Sequence, residues 1–167
     1  MPPTTVRPAT RGDLTRIVEI YNHYVINTPF TFTIEPVSVE GFGEWFKEHT
    51  TGPRYKLFVA AEGGRVVGFA GTGRFRERAA YETTAEMTIY CAHDAGGRGI
   101  GTMLYRTLFG AVTGADLNRL VAGITLPNDA SVALHERFGF KAVGIFSENG
   151  RKFGRYWDVL WMERPLL

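Results

Sequence analysis

The sequence predicts one mixed α/β domain in which helices cover both faces of a central sheet. Segments with strand character alternate with segments of helical periodicity, which is typical of a sheet that combines parallel and antiparallel strands. Two turn-forming pairs, Gly63-Gly64 and Asn149-Gly150, lie between strand segments and predict β-hairpins. Because 167 residues are enough for one hydrophobic core and too few for two, residues 1–167 are assigned to a single domain.

The first half of the chain is predicted to contain two helices and three strands. Thr10, followed three residues later by Asp13, resembles a capping box and begins a helix that ends at residues 27–29. Ser38 is predicted to cap a second helix. The inner faces of these helices are formed by Leu14, Ile17, Val18, Tyr21, Tyr24 and Val25, and by Phe42, Trp45, Phe46 and His49. The predicted strands are residues 6–9, 57–61 and 66–70.

The second half of the chain is predicted to begin with a long strand that leads into a glycine-rich turn. The elements that follow are a strand at 83–92, a helix from 99 to about 115, a strand at 120–125, a helix from Asn128, and strands at 142–146 and 156–162. The complete order is β-α-α-β-β-β-α-β-α-β-β. This order predicts a mixed sheet.

The glycine-rich turn before the third helix is suited to bind a phosphate. It contains Gly96, Gly97, Gly99 and Gly101. Glycine lets a phosphate approach the backbone, and the first turn of a helix offers unpaired N–H groups and a positive dipole end. The turn lacks the Gly-Lys-Ser/Thr of a P-loop, and Thr102 stands where a dinucleotide-binding motif needs glycine. We therefore expect another phosphate-bearing ligand, close to the carboxylate of Glu86.

Composition argues against several other classes of function. The formal net charge is +2, and the arginines are spread along the chain rather than clustered with aromatic residues, which disfavours nucleic acid as a partner. No apolar run approaches the length of a membrane span, so no membrane partner is expected. The single cysteine, Cys91, cannot form an internal disulfide, which favours a reducing, cytoplasmic setting. The four histidines lack the spacing of a zinc site, so no metal is expected.

Two segments resemble motifs of the GNAT N-acetyltransferases. The glycine-rich turn is similar to their acetyl-CoA pyrophosphate loop, Gln/Arg-x-x-Gly-x-Gly/Ala, with Gly99 and Gly101 in its second half and Gly96 where glutamine or arginine is usual. Residues 128–140 resemble the family segment Asn-x-x-Ser-x-x-Leu-Tyr/His-x-x-x-Gly-Phe. The resemblance implies the GNAT acyl-CoA N-acyltransferase fold, in which two central parallel strands splay apart and acetyl-CoA enters the gap.

Nearly the whole chain resembles one branch of that family, the phosphinothricin and methionine sulfone/sulfoximine N-acetyltransferases. The matching segments are residues 20–24, 33–36, 80–90, 126–131, 134–136 and 152–158. The resemblance implies transfer of acetyl from acetyl-CoA to the α-amino group of a small amino-acid analogue: phosphinothricin, methionine sulfoximine or methionine sulfone. It also implies a homodimer, with residues 30–32 and 152–157 as candidates for the subunit contact.

Glu86 is predicted to act as the general base. Side chains alternate along a strand, so Glu86 shares a face with Thr84, Thr88 and Tyr90, just before the phosphate loop. An ammonium group must lose a proton before its nitrogen can attack a thioester, and a positioned carboxylate accepts that proton directly or through water. A solvated carboxylate or an ion-pair partner is the alternative interpretation. In the branch that the chain resembles, the catalytic glutamate falls at this position.

The resemblance also assigns the other site residues. His135 matches a histidine where many GNAT enzymes have a tyrosine acid, so it is a candidate proton donor to the leaving thiolate, or equally a structural hydrogen-bonding group. Cofactor contacts are assigned to Ile89, Tyr90, Gly97, Arg98, Gly99, Ile100, Gly101, Thr102, Asn128 and Ser131. Acceptor contacts are assigned to Phe75, Arg76, Glu77, Tyr81, Thr84 and Ala85. The Arg76 guanidinium can hold a carboxylate or phosphinate through paired hydrogen bonds, and Arg74 and Arg78 would share its face if the strand continued.

Two other functions stay open at this point. One keeps the GNAT chemistry and changes the acceptor to an ordinary amine, a peptide N-terminus or a drug. The other is a non-catalytic module that binds acyl-CoA, for which the glycine-rich turn is needed and Glu86 is not. Release of free thiol in the presence of an amine distinguishes an enzyme from such a module.

Overall fold

Seven strands form one mixed sheet in the computed structural model, which describes residues 1–166. In chain order the strands and α-helices are β1 (Thr4–Pro8), α1 (Leu14–Asn27), α2 (Gly43–Thr50), β2 (Leu57–Glu62), β3 (Arg65–Arg74), β4 (Thr84–Cys91), α3 (Ile100–Val112), β5 (Arg119–Thr125), α4 (Asp129–Arg137), β6 (Lys141–Lys152) and β7 (Arg155–Pro165). The strands are arranged β1-β2-β3-β4-β5-β7-β6 across the sheet. The predicted mixed α/β class and order of elements are confirmed.

The one parallel pair of this sheet, β4 and β5, is joined over only three residue pairs. Thr84 pairs with Arg119, and the ladder ends where Glu86 pairs with Val121. β4 continues to Cys91 and β5 to Thr125 without further pairing between them, so the two strands splay apart. The splayed strands that the resemblance implied are confirmed.

The helices α2 and α3 cover opposite faces of the sheet, as the surroundings of two glycines of β3 show. A Cβ added at Gly68 would meet Ile100 and Leu104 of α3, whereas one added at Gly73 would meet His49 of α2. The largest fully buried side chains are Tyr105, Phe69, Ile17, Ile100, Leu104, Leu108, Leu120 and Met162. None of the helices in residues 1–166 is both long enough and apolar enough to cross a membrane.

Of the two helix starts predicted in the first half of the chain, the one at Thr10 is confirmed and the one at Ser38 is wrong. The Thr10 N–H donates to an Asp13 carboxylate oxygen at 2.8 Å, which completes the predicted capping box. Ser38, in contrast, caps only a turn: its hydroxyl accepts from the Gly41 N–H at 2.9 Å, and α2 begins later, at Gly43. The glycines in this stretch have low helix propensity and delay the helix.

One of the two predicted hairpin turns is also confirmed. Residues 63–64 have φ values of +55° and +83° and join β2 to β3. The turn at residues 149–150 is wrong, because β6 runs through to Lys152 and the chain reverses at residues 153–154, with φ values of +55° and +71°. Gly150 is needed for another reason, since a Cβ there would collide with the ring of Phe32.

Candidate active site

The gap between β4 and β5 is a cleft of about 540 Å³ that contains Glu86. Its walls come from the loop at residues 30–32, both splayed strands, the start of α4, and Asn149 and Trp161 of β6 and β7. A groove of about 330 Å³ beside the glycine-rich turn shares Gly101 and Leu134 with this cleft, so the two spaces adjoin. A long ligand can therefore run from the glycine-rich turn to Glu86.

The carboxylate of Glu86 is half-buried where the sheet opens. Burial raises the pKa of Glu86, and the positive charge of Arg76 partly opposes this effect. Glu86 pairs with Gly73 of β3, and paired residues of antiparallel strands point to the same face, here the one covered by α2. A desolvated carboxylate holds a proton more tightly than one in water, which suits a group that must accept one.

The glycine-rich turn presents free backbone donors to its groove. Gly97 and Gly99 both have φ of +73°, a conformation that L side chains rarely adopt, and Gly99 is the N-cap of α3. The first helical hydrogen bond runs from the Met103 N–H to the Gly99 carbonyl at 3.0 Å. The N–H groups in the first turn of α3 are therefore available to a phosphate. The groove is lined by Gly97, Gly99, Ile100, Gly101 and Thr102 among the predicted cofactor residues.

The one charged member of the predicted cofactor set is engaged elsewhere. Arg98 forms an ion pair with Glu62 at 2.8 Å and does not line the groove. The guanidinium in the groove belongs instead to Arg137, at the end of α4, whose Nη1 donates to the Thr102 hydroxyl at 3.0 Å. Sequence reasoning missed Arg137, because it falls on an unspecified position of the α4 motif.

The other predicted cofactor residues meet in the cleft. Its lining includes Ile89, Tyr90, Asn128 and Ser131. The Asn128 side chain accepts from the Ser131 N–H at 3.3 Å and so caps α4, as the sequence indicated. α4 therefore begins at the wall of the cleft.

His135 lines the same cleft, with both ring nitrogens engaged. Its Nδ1 lies 2.7 Å from the Ser131 carbonyl, and its Nε2 lies 2.8 Å from the Tyr105 hydroxyl. A carbonyl only accepts, so Nδ1 carries the proton and Nε2 accepts from Tyr105. Burial lowers the pKa of His135, which favours this neutral form.

The loop at residues 30–32 is fixed from two sides. On one side the Tyr21 hydroxyl bonds to the Thr31 hydroxyl at 2.8 Å. On the other side the ammonium of Lys152, a residue that is 4% exposed, donates to the Thr31 carbonyl at 2.8 Å, and the Phe32 ring lies over Gly150. Loss of hydration lowers the pKa of Lys152. The sequence analysis gave both Lys152 and Phe32 only as candidate subunit contacts, and did not predict that they pack together beside the cleft.

The predicted acceptor residues, all within the described residues 1–166, lie outside the lining of the cleft. These are Phe75, Arg76, Glu77, Tyr81, Thr84 and Ala85. Two of them contact the cleft indirectly. The Phe75 ring meets the ring of Trp161 edge-on, with 6.0 Å between ring centres, and the Arg76 guanidinium lies 4.7 Å from the centre of the Phe75 ring. Ala85 is fully buried. β3 ends at Arg74, so the condition for a shared arginine face is not met.

The sequence and the fold of this chain are similar to those of known acetyltransferases. Residues 6–161 match the family described as "Acetyltransferase (GNAT) domain". The chain is 50% identical over 163 residues to a phosphinothricin N-acetyltransferase of Streptomyces coelicolor, covering 96% of this chain and 95% of that protein. It is 33% identical to an L-methionine sulfoximine/L-methionine sulfone acetyltransferase of Pseudomonas paraeruginosa, covering 97% and 94%. A crystal structure of a GNAT phosphinothricin acetyltransferase from Sinorhizobium meliloti with acetyl-CoA is similar at a TM-score of 0.91 and 36% identity, covering 97% and 88%.

Proposed function

Because the chain belongs to the GNAT acetyltransferase family and is an N-acetyltransferase that uses acetyl-CoA, we propose that it acetylates the α-amino group of a small amino-acid analogue. The class is that of phosphinothricin, methionine sulfoximine and methionine sulfone, which the names of its relatives support. The observation that carries the proposal is the half-buried carboxylate of Glu86 in a cleft that adjoins a phosphate groove. We also propose that residues 1–167 act as one GNAT domain.

Glu86 is the proposed general base. The acceptor enters as an ammonium ion, and the Glu86 carboxylate takes one of its protons directly or through a water molecule. When bound, acetyl-CoA would supply the acetyl thioester: a C–N bond would form as the C–S bond breaks, the nitrogen would release its second proton, and the thiolate would take up one proton. Proton transfer of this kind contributes about 10²- to 10⁴-fold to a rate. The raised pKa of Glu86 and its place at the opening of the sheet support this role.

The leaving thiolate needs a proton donor, and the family resemblance provides His135 as the candidate. Both of its ring nitrogens are already bonded, to Ser131 and to Tyr105. A donor role requires one of those bonds to break and a buried imidazolium to form. The geometry supports the alternative, in which His135 fixes α4 against α3 beside the cleft. Its role as the acid stays a prediction.

Cofactor binding is assigned to the groove and the adjoining part of the cleft. The positive φ values of Gly97 and Gly99 and the free N–H groups of α3 fit the pyrophosphate of acetyl-CoA. Ile89, Asn128 and Ser131 line the cleft that adjoins this groove, and we assign them to the pantetheine arm. The acetyl-CoA complex of the Sinorhizobium meliloti relative supports the assignment.

Acceptor recognition is assigned to the side of the cleft near Phe75 and Trp161. Arg76 is exposed, and its charge acts on Glu86, so its guanidinium is within electrostatic reach of the base. The exposed Arg76 side chain can turn to hold the carboxylate or phosphinate of the acceptor. The anchored loop at residues 30–32 also lines the cleft.

The β6–β7 edge of the sheet supports the proposal of a homodimer. β6 is an edge strand, and Val143, Ile145 and Phe146 on it are each more than half exposed. Exposed apolar side chains along a sheet edge are typical of an interface. Lys152, the last residue of the same strand, anchors the cleft loop, so a second copy along this edge would stabilise the acceptor wall. An Ile145→Glu variant that sediments like the parent protein would contradict this interface.

The substrate class is tested by release of free CoA from acetyl-CoA with a panel of acceptors. We expect release with phosphinothricin, methionine sulfoximine or methionine sulfone, and much less with matched amines that lack a carboxylate. Equal rates with those amines or with peptide N-termini would replace the proposal by a broader GNAT acetyltransferase. Binding of acetyl-CoA without thiol release for any acceptor would favour a non-catalytic module.

A further inference from the structure

His49 is a buried histidine on α2 that lines neither the cleft nor the phosphate groove. Its ring stacks on that of Trp45, with 4.1 Å between ring centres, and its Nδ1 lies 2.7 Å from the Trp45 carbonyl. A carbonyl only accepts, so Nδ1 carries the proton and Nε2 is an acceptor. Burial lowers the pKa of His49, which favours this neutral form.

The Nε2 atom of His49 lies on the face of the sheet that carries Glu86. A Cβ built at Gly73 would collide with this nitrogen, and Gly73 is the residue of β3 that pairs with Glu86. Paired residues of antiparallel strands have Cβ atoms about 4.5–5.5 Å apart on the same face. The ring nitrogen therefore stands where the side chain of the cross-strand neighbour of Glu86 would begin, within reach of one bridging water.

The charged and titratable groups around His49 leave this nitrogen open. Glu48 acts on the ring from α2, but its carboxylate lies 3.2 Å from the Nε of Arg74. Tyr55, just before β2, has its ring centre 6.5 Å from that of His49, and Arg76 acts on the carboxylate of the base from the loop after β3. No residue of the described range 1–166 forms a hydrogen bond with His49 Nε2.

We propose that His49 is a positioning residue that acts through Glu86: its Nε2 accepts a hydrogen bond from the protonated carboxyl, directly or through one water. The inference rests on the proposed role of Glu86 as the base and adds the group that stabilises this base once it holds a proton. An N–H bond of the ammonium breaks and an O–H bond of Glu86 forms, while His49 stays neutral. A hydrogen bond to the neutral form of an acid raises its pKa, so it makes the carboxylate a stronger base.

The first test compares two replacements of His49 in the pH dependence of kcat/KM. His49→Asn can keep a donor for the Trp45 carbonyl but has no group at the place of Nε2, whereas the longer His49→Gln can bring its amide oxygen there. In His49→Asn we expect the acidic limb of the profile to move to lower pH by about half a unit to one unit, as loss of one hydrogen bond implies. His49→Gln should restore most of the parent profile.

Two controls separate this role from a general effect on the fold. In His49→Asn the affinity for acetyl-CoA should change by less than about twofold in calorimetry, because His49 lines neither ligand space. His23→Asn, at a half-buried histidine of α1 outside both spaces, should keep the parent pH profile. An unmoved acidic limb in folded His49→Asn, or an equal shift in His49→Gln, would overturn the proposal.

A spectroscopic measurement tests the contact without replacing His49. The ¹⁵N NMR signal of His49 Nε2 should show a step at the pH of the acidic limb in the parent protein, because the Glu86 carboxyl then becomes a donor. Glu86→Gln should lack that step. The same titration curve in both proteins would contradict the contact, whether or not His49→Asn folds.

The double variant distinguishes this inference from the proposed function. In the Glu86→Gln background, His49→Asn should change kcat/KM by less than about twofold, because His49 acts only through the carboxyl. Losses that multiply would contradict that dependence. If Glu86→Gln keeps the activity of the parent, the assignment of the base and this inference both fail. If Glu86→Gln loses activity and His49→Asn leaves the acidic limb in place, only this inference fails.

Discussion

Glu86 and Val121 form the last pair of the parallel ladder between β4 and β5, and the sheet opens immediately beyond them. This register places a carboxylate at the mouth of the cleft rather than within a closed sheet. No hydrogen bond or ion pair engages that carboxylate within residues 1–166, so its solvation comes from the cleft. A half-buried charge without a partner reduces stability, and such costs concentrate at functional sites.

The glycine-rich turn should be essential for cofactor binding. Gly99→Val places a branched side chain at φ +73° at the start of α3, where a phosphate would lie. We expect acetyl-CoA affinity to fall by more than about tenfold in calorimetry, since one lost charged contact alone accounts for that factor. Gly114→Val is the matched control, because Gly114 has φ +84° and lies beyond the other end of α3. Equal losses in the two variants would indicate a general effect on the fold.

Arg76 should control the choice of acceptor. We expect Arg76→Ala to lower kcat/KM for phosphinothricin or methionine sulfoximine about 10- to 100-fold, as removal of a charged hydrogen bond implies. Acetyl-CoA affinity should stay within twofold, because the phosphate groove does not include Arg76. Arg78→Ala, at an exposed position of the same loop, serves as the control. An unchanged kcat/KM would remove Arg76 from the site.

Lys152 should position the acceptor wall. Lys152→Met leaves the Thr31 carbonyl without its ammonium donor and loosens the loop at residues 30–32. We expect the acceptor KM to rise about tenfold, with little change in acetyl-CoA affinity, because a charged hydrogen bond is lost at one wall only. Lys141→Met, at the exposed start of β6, should behave like the parent protein. A fall in kcat alone, with both KM values unchanged, would argue against this positioning role.

His135 should make stability depend on pH. Burial lowers its pKa in the folded protein, so the stability it contributes is present above the unfolded pKa, about 6.5, and is lost as the pH falls below it. The slope is at most about 1.4 kcal/mol per pH unit for each such histidine. His135→Gln should therefore lose less free energy of unfolding between pH 7 and pH 5 than the parent does. Identical slopes in the parent and His135→Gln would refute a buried neutral histidine.

Most of the fold could be predicted from local patterns, because apolar periodicity, caps and glycine pairs act over a few residues. The capping box at Thr10 and the hairpin at residues 63–64 are examples. The turn predicted at residues 149–150 failed because Gly150 is required by a contact with Phe32, far away in sequence. No local pattern contains that contact.

The candidate site likewise combines residues that local patterns predict with residues that only tertiary packing brings in. Glu86 and the glycines of the turn follow from a strand, a loop and a helix that are adjacent in sequence. Arg137 and Lys152 reach their places only through the packing of α4 on α3 and of β6 against the cleft loop. Arg98 was predicted to contact the cofactor, but its ion pair with Glu62 on β2 holds it outside the groove.

The pH dependence of acetylation in Glu86→Gln tests the central claim most directly. This change keeps the shape of the side chain and removes the base, and Glu82→Gln, at an exposed position before β4, is the control. At neutral pH we predict a fall in kcat/KM of about 10²- to 10⁴-fold for the amino-acid analogue, with partial recovery at high pH as the amine deprotonates itself. A loss below about tenfold, with the parent's pH profile retained, would contradict the assignment of Glu86 as the general base.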